Sequence, residues 1–262
     1  MGSFPTFIRI KVSWDRIRKF IAEIPAIEGI MDYKELKSLS HKGEKVESIE
    51  VDGVFFHYPG EDGKEGFSVG PISFNVKKGE ILFLVGGNGS GKTTLAKMIT
   101  GLYMAEKGGI KINGKEIGGD DYLGEYFSVV FGDFHLFEKL YNVNKDINRE
   151  EMEKYLEALD LKGKVDIKNG SFSTINVSGG QRKRLALLQC YLEDCPIYLF
   201  DEVAADQDPE FRKFFYHTLL KEMKERGKIV IAITHDDHYF DVADKIIKLD
   251  MGLIDETFAM MK

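Results

Sequence analysis

The chain has 262 residues, 43% of them hydrophobic and 30% charged, and can bury a full-sized core in one large domain or two small ones. Its formal net charge of -7 argues against a nucleic-acid surface, and no apolar run approaches the length of a bilayer-spanning helix. No signal peptide is recognisable, and Cys190 and Cys195 have neither metal-ligand nor disulfide-framework spacing, so we predict a soluble chain from a reducing cytosol.

The first 48 residues differ in composition from the rest. Residues 7–24 mix apolar and basic side chains with a roughly helical period, and the polar, turn-prone stretch after them is typical of a linker. The helix is either a surface helix packed by its apolar stripe or the cytoplasmic end of a helix whose upstream part is missing. We expect residues 1–48 to form this helix and linker, and residues 49–262 to form the main domain.

Residues 49–117 are patterned mainly as antiparallel strands. The first alternating run stops at Pro59-Gly60, and the turn dipeptide Asn113-Gly114 predicts a hairpin within residues 108–117. Between them, the wholly apolar run 81–85 is typical of a buried strand. We therefore predict an antiparallel β subdomain that leads into the buried core.

The remainder alternates between helical and buried-strand patterns. Residues from about 120 to 192 have a mainly helical pattern and predict a helical subdomain. The compact apolar runs 197–200 and 228–234 are typical of buried parallel strands, and the helical pattern between them ends at Gly227. The order of strands and helices predicts an α/β core with a mostly parallel sheet.

The glycine-rich run that follows the buried strand 81–85 fits the phosphate-binding pattern G-x-x-x-x-G-K-[ST]. Its glycines let backbone N–H groups surround a phosphate chain, and the next helix adds the positive end of its dipole. Lys92 supplies a charge for the β- and γ-phosphates and Thr93 a hydroxyl ligand for Mg²⁺. The predicted nucleotide-binding residues are Gly86, Gly87, Asn88, Gly89, Ser90, Gly91, Lys92, Thr93 and Thr94.

The later strand pattern 197–200 ends in the acidic pair Asp201 and Glu202. Because the carboxyl ends of parallel strands share one sheet edge, both carboxylates are expected beside the phosphates. Asp201 is predicted to hold Mg²⁺ through its water shell, and Glu202 to act as general base on the attacking water. The alternative is a solvated acidic strand end.

The run VSGGQ, residues 177–181, adds a second anion-binding nest at a helix N-terminus. With the phosphate loop and IYLFDE, it resembles the nucleotide-binding domain of ABC transporters, with Val177 at the usual leucine of the signature. The resemblance implies a P-loop NTPase cassette: a RecA-like parallel-sheet core, an antiparallel β subdomain and a helical subdomain. It also implies a head-to-tail homodimer in which one protomer's signature residues close over ATP bound by the other. These residues are Ser178, Gly179, Gly180 and Gln181.

Further positions match the family one by one. Tyr58 lies where the family stacks an aromatic ring on adenine, His235 matches the switch histidine at the γ-phosphate, and Asp208 matches the aspartate of the loop that crosses to the partner. Besides Val177, three positions depart from the pattern, and one of them is Val203, which replaces the proline after the acidic pair. Gly132 replaces the glutamine that touches Mg²⁺ and couples to the membrane domain, and Ala205 replaces the usual serine of the crossing loop.

Within the family, the loop sequences most resemble those of exporters of cyclic peptides and siderophore peptides, such as pyoverdine, syringomycin and microcin exporters. In that group a membrane domain and the cassette form one half-transporter, and residues 4–20 look like the stretch after its last membrane helix. The resemblance implies an ATPase that powers export, working at the cytoplasmic face of the inner membrane with a transmembrane domain as partner.

Three alternatives remain at this point. An ABC ATPase acting on DNA or ribosomes is disfavoured, since there is room neither for a long coiled-coil insertion nor for a second cassette, and the charge is acidic. A regulatory ATP-binding module with low turnover is suggested by Gly132. A generic P-loop kinase would leave VSGGQ, Tyr58 and His235 unexplained.

Overall fold

The computed structural model describes residues 45–60, 66–117, 123–141 and 149–259. The predicted helix of residues 7–24 and most of the predicted linker lie outside these ranges. Within the described ranges, no helix combines the length and the apolar character needed to cross a membrane.

An antiparallel sheet forms the first layer. Its strand order is β2-β1-β4-β5, with β1 at Ser48–Tyr58, β2 at Phe67–Lys77, β4 at Lys107–Ile112 and β5 at Lys115–Glu116. The turn between β4 and β5 has positive φ at both central residues, 54° at Asn113 and 76° at Gly114. Two-residue hairpin loops of this type match the twist of the flanking strands, and the predicted hairpin is confirmed.

The second sheet has six strands in the order β12-β11-β3-β10-β9-β6. Its strands are β3 at Ile81–Val85, β6 at Phe127–Val130, β9 at Ile197–Asp201, β10 at Ile229–Ile233, β11 at Lys245–Asp250 and β12 at Leu253–Ile254. Five strands are parallel and only β12 is antiparallel. The predicted α/β core with a mostly parallel sheet is therefore confirmed.

Helices flank this core. They are α1 at Lys92–Ile99, α2 at Arg149–Ala158, α3 at Gly179–Glu193, α4 at Pro209–Phe214, α5 at Leu220–Glu225 and α6 at Glu256–Ala259. A π-helical turn, Phe215–Leu219, joins α4 to α5. The sequence predicts an end at Gly227, which adopts φ 74° just after the last helical turn.

The central strand β3 is fully buried and divides the core into two parts. Ile81, Phe83 and Val85 pack in a cluster with residues of α3 and of the α4–α5 segment. Leu82 and Leu84, on the opposite face, pack with α1 and with the antiparallel sheet. Successive strand residues point to opposite faces, so a strand buried on both faces needs a continuous apolar run, as this sequence has.

The segment from about 120 to 192 is less helical than its pattern predicts. Its described part contains α2 and α3, but Phe127–Val130 forms the edge strand β6 of the parallel sheet, and residues 167–172 form a short hairpin. The hairpin strands, β7 at Ile167–Lys168 and β8 at Ser171–Phe172, are too short to show a periodicity. β6 gains its stability from pairing with β9, a partner about 70 residues away in sequence.

Candidate functional site

Four strands of the parallel sheet deliver the predicted site residues to one edge. The phosphate loop follows β3, the acidic pair lies at the end of β9, His235 follows β10, and Gly132 follows β6. These strands are neighbours in the order β3-β10-β9-β6, so their carboxyl ends lie side by side. This edge is where open α/β sheets bind ligands.

The phosphate loop has a backbone that only glycine can adopt at two positions. Gly86 has φ 143°, and a Cβ there would lie 2.2 Å from the carbonyl oxygen of Leu249. Gly91 has φ 99°, and a Cβ there would lie 2.8 Å from a methyl group of Val69. The loop is thus closely packed from behind, and the first N–H groups of α1 remain without intrahelical partners at its front.

Lys92 is 5% exposed and folds back over this loop. Its Nζ donates hydrogen bonds to the carbonyl oxygens of Gly86 and Gly87 at 2.8 and 2.9 Å. Burial lowers the pKa of the ammonium, while the nearby charges of Glu202 and Asp201 oppose that change. The loop, the lysine and the acidic pair therefore lie within electrostatic reach of one another, as predicted.

Thr93 and Asp201 meet directly, although 108 residues separate them. The Thr93 hydroxyl donates to Asp201 Oδ2 at 3.0 Å, and Asp201 is 4% exposed. Burial raises the pKa of this carboxyl, the bond from Thr93 lowers it, and the charge of Glu202 raises it. Hydroxyl and carboxylate oxygens of this kind suit Mg²⁺, which keeps several water or phosphate ligands. In the described ranges, no three His, Cys, Asp or Glu side chains lie together in a way that could hold a metal ion.

Glu202 and His235 form the second polar pair of this edge. His235 Nε2 lies 2.9 Å from Glu202 Oε1, and both side chains are about two-fifths exposed. Glu202 has φ 52°, a left-handed conformation that is uncommon outside glycine and concentrates at functional sites. Its N–H donates to Ile233 O at 3.1 Å, which fixes this turn at the end of β10.

Tyr58 also reaches the phosphate loop, from the end of β1. Its hydroxyl lies 3.2 Å from Thr94 Oγ1. Phe56 and Tyr103 pack on its ring, with centroids at 4.9 and 6.2 Å, and burial raises the pKa of the phenol. The antiparallel sheet thereby presents a half-buried aromatic cluster beside the phosphate loop, where a flat base could stack.

The signature residues form the N-terminus of α3. Ser178 caps the helix: its hydroxyl accepts the Gln181 N–H at 3.3 Å, and Gln181 Oε1 accepts the Ser178 N–H at 3.2 Å. Ser178 and Gly179 are exposed. Gly180 O accepts from Gln207 of the crossing loop at 3.3 Å, so the described contacts of the signature lead to that loop and not to the phosphate loop of the same chain.

Asp208 caps α4 by accepting the Phe211 N–H at 2.9 Å and forms an ion pair with Arg184 of α3. The pKa of Asp208 is lowered, mainly by the hydrogen bond from the Phe211 N–H and further by the charge of Arg184. Arg184 itself is 9% exposed and also donates to Gln207 Oε1 at 3.2 Å. Within one protomer Asp208 thus holds the crossing loop against the signature helix, and its predicted contact with nucleotide stays a prediction.

Gly132 lies exposed just past β6, and a Cβ there would be 3.9 Å from the carbonyl oxygen of Asp201. It lines a cleft of about 380 Å³ together with Asp133, signature residues and crossing-loop residues. The position of the expected glutamine therefore does border the acidic strand end. Asp133 adds negative charge there, which contributes to the raised pKa of Asp201.

Sequence reasoning missed Arg184 and Gln207, which join the signature helix to the crossing loop. Their position beside two recognised motifs was the only available signal, and an arginine on a helix is usually solvent-exposed. It also missed the polar side chains on either side of His235, Thr234 and Asp236, although ITHDD places them directly after an apolar strand.

Comparison with known proteins agrees with this geometry. The sequence profile described as "ABC transporter" matches residues 69–205, more than half of the chain. The chain belongs to the ABC transporter family. Within this family it has the ABC cassette fold and is an ATP-binding cassette.

Two curated relatives are longer than this chain. It is 46% identical over 213 residues to the ATP-binding protein SyrD of Pseudomonas syringae pv. syringae, which covers 79% of the chain and 38% of the relative. It is 32% identical over 246 residues to the subtilin transport ATP-binding protein SpaT of Bacillus subtilis, covering 86% and 39%. The chain thus spans about two-fifths of the length of these relatives.

A third relative and two solved structures complete the comparison. The energy-coupling factor transporter ATP-binding protein EcfA1 of Streptococcus mutans serotype c is 33% identical over 221 residues, covering 80% of the chain and 78% of the relative. A bacterial Atm1-family ABC exporter with ATP bound shares the fold, with a TM-score of 0.67, 24% identity, and coverage of 80% and 38%. A post-hydrolysis cassette dimer with ADP and Pi has a TM-score of 0.64, 25% identity, and coverage of 79% and 96%.

Proposed function

We propose that this cassette binds and hydrolyses ATP and that hydrolysis powers export through a membrane domain. The observation that carries the proposal is the contact of His235 with Glu202, 2.9 Å apart, at the sheet edge where the phosphate loop and Asp201 also lie. A carboxylate held by an imidazole beside a phosphate cradle is suited to accept a proton from an attacking water.

Each residue of this edge has a role in the proposed reaction. Backbone N–H groups of the phosphate loop and Lys92 bind the phosphates, and Tyr58 stacks on adenine. Glu202 accepts the proton as the water oxygen bonds to the γ-phosphorus and the bond to the β-γ bridging oxygen breaks. With its proton on Nε2, His235 donates to Glu202 and keeps the carboxylate oriented, while the family resemblance assigns it a contact with the γ-phosphate as well.

Mg²⁺ is the metal that fits this donor set. Thr93 would hold it through the hydroxyl, and Asp201 through its water shell. When bound, it neutralises charge on the phosphate oxygens. The direct bond from Thr93 to Asp201 supports this assignment, since it brings both proposed ligands together before any metal is considered.

A head-to-tail homodimer is part of the proposal. Ser178 and Gly179 are exposed, and the described contacts of the signature lead away from the phosphate loop of its own chain. A second copy could therefore present its signature to ATP, and each site would combine residues of two protomers. The related cassette solved as a dimer with ADP and Pi supports this arrangement.

The membrane partner and cargo follow from resemblance. SpaT is named for subtilin transport, and the loop sequences resemble those of peptide and siderophore exporters. We propose a peptide-like cargo, an adjoining transmembrane domain, and action at the cytoplasmic face of the inner membrane. Residues 1–48 would connect the cassette to the last membrane helix.

Steady-state ATP hydrolysis measured against protein concentration tests the proposal. We expect a rate that rises faster than linearly, depends on Mg²⁺, and falls by at least about 100-fold in Glu202→Gln. Glu225→Gln, which removes an exposed carboxylate of α5, is the matched control and should hydrolyse like the parent. Equal rates in Glu202→Gln and parent would contradict the assignment of the base.

A regulatory module with low turnover is the second candidate, favoured by Gly132 alone. Without a side chain there, the strand end next to Asp201 lacks the family's coupling glutamine. This candidate predicts ATP-dependent dimerisation of the parent, detected by light scattering, without appreciable release of phosphate.

A further inference from the structure

We infer that Tyr216 is a positioning residue for His235 and that the π-helical turn Phe215–Leu219 exists to deliver it. The inference rests on the proposed role of His235 in hydrolysis. Tyr216 is 2% exposed, and its hydroxyl lies 2.6 Å from Thr234 Oγ1 and 3.2 Å from Asp236 Oδ2. It therefore contacts the residues immediately before and after His235.

The three groups form a closed ring of hydrogen bonds. The Asp236 N–H donates to Thr234 Oγ1 at 3.0 Å, and the Tyr216 hydroxyl donates to the Asp236 carboxylate. The Thr234 hydroxyl must then donate to the Tyr216 oxygen, because Tyr216 has only one proton and Asp236 accepts it. Each member is both donor and acceptor, and the ring joins the residues on either side of His235.

Additional contacts hold the ring from outside. Arg212 Nη1 donates to the second carboxylate oxygen of Asp236 at 3.2 Å. Tyr239, two residues beyond Asp237, stacks on the Tyr216 ring with centroids 4.3 Å apart and an interplanar angle of 18°. Thr234 N–H donates to Leu84 O at 3.2 Å and anchors the ring to β3. The backbone on both sides of His235 is thus fixed by a polar network in which Tyr216 and Thr234 are buried, and buried polar groups are costly to leave unpaired.

The π-helical turn Phe215–Leu219 positions Tyr216 against Thr234 and Asp236. The Leu220 N–H donates to Phe215 O, five residues back, in place of the usual four. One extra residue in the turn rotates the preceding part of the helix relative to the following part by about 100°. Phe215 and Tyr216 are both 2% exposed, and Phe215 packs on Phe200 at 5.5 Å while Tyr216 turns to β10. Single π turns often occur at functional sites.

The test compares two tyrosine-to-phenylalanine variants. Tyr216→Phe keeps the stacked ring and removes the hydroxyl. We expect kcat for ATP to fall about tenfold with KM unchanged, because Glu202 and His235 lose alignment but nucleotide binding does not involve the ring. Tyr198→Phe is the matched control: Tyr198 is fully buried in β9, and its hydroxyl has no hydrogen-bond partner in the described part of the chain.

Thr234 supplies a rescue experiment. Thr234→Val removes the hydroxyl and should reproduce the fall in kcat, whereas Thr234→Ser keeps it and should restore at least half of the parent rate. The combination of Tyr216→Phe with Thr234→Val should lower kcat little more than either alone, since both open the same ring. A kcat for Tyr216→Phe within twofold of that for Tyr198→Phe would overturn the inference.

Amide hydrogen exchange separates this inference from the proposed function. Tyr216→Phe should make the Asp236 amide exchange roughly tenfold faster than in Tyr198→Phe, whether or not the protein hydrolyses ATP. If the parent had no ATPase activity, the proposed function would fail, while faster exchange at Asp236 would still support the ring. Unchanged exchange at Asp236 would refute it in either case.

Discussion

Replacing Arg184 by leucine is expected to lower the free energy of unfolding by about 2 kcal/mol. Arg184 links three elements: it lies on α3, pairs with Asp208 of the crossing loop and with Asp160 after α2, and stacks over the Phe211 ring at 4.4 Å. Leucine fills similar space, so the loss comes from polar contacts and not from a large cavity.

The size of this stability loss depends on whether each partner of Arg184 is left without a hydrogen bond or is solvated by water. Gln207 is buried, and losing the bond from Arg184 to its Oε1 leaves an unpaired acceptor, at about 1.5 kcal/mol. Asp208 and Asp160 are 52% and 72% exposed, so water replaces the guanidinium and these two pairs add little to stability. The cation–π contact with Phe211 adds about 0.5 kcal/mol.

Urea denaturation and thermal melting are suitable assays. A change of about 2 kcal/mol should lower Tm by roughly 4–8 °C for a domain of this size. Arg182→Leu, the same change two positions earlier on α3, is the matched control and should stay within about 0.5 kcal/mol of the parent. Equal stabilities of Arg184→Leu and Arg182→Leu would show that Arg184 does not hold the crossing loop against α3.

Three further predictions concern the phosphate loop, the helix cap and the adenine site. Gly86→Ala should cost at least about 2 kcal/mol of stability, because its Cβ would clash with the carbonyl of Leu249, whereas a Cβ at Gly87 meets nothing within 4 Å and Gly87→Ala should melt like the parent. Because its pKa is lowered on folding, Asp208 contributes stability above the ordinary carboxyl pKa near ~4, and this contribution is lost as pH falls through the lowered value. The Tm difference between parent and Asp208→Asn should therefore shrink from pH ~7 to pH ~3, and a constant difference would contradict the ionic role. Tyr58→Ser should weaken ATP binding about tenfold by calorimetry, and Tyr58→Phe by less than about threefold, since the ring and not the hydroxyl stacks on a base; equal losses would rule out stacking.

The sequence determined the local chemistry of this protein. The phosphate loop, the acidic pair at the end of β9 and the Asn113-Gly114 hairpin each depend on residues close together in the chain, so their patterns predict them directly. The central strands of the parallel sheet are buried on both faces, so each appears in the sequence as a continuous apolar run that is as easy to recognise as these motifs. The membership of the ABC family follows from these local features in combination with VSGGQ.

How distant residues meet depends on the tertiary structure. Four-residue β6 is a strand because β9 pairs with it, and its own sequence does not distinguish it from a helix. In the sequence, Arg184 is typical of a polar helix position and Tyr216 of an apolar helix stripe. Folding places Arg184 against the crossing loop and Tyr216 against the residues that flank His235. Hydrogen bonds between residues 18 or 23 positions apart depend on helix register and packing. Short sequence patterns carry no information about either.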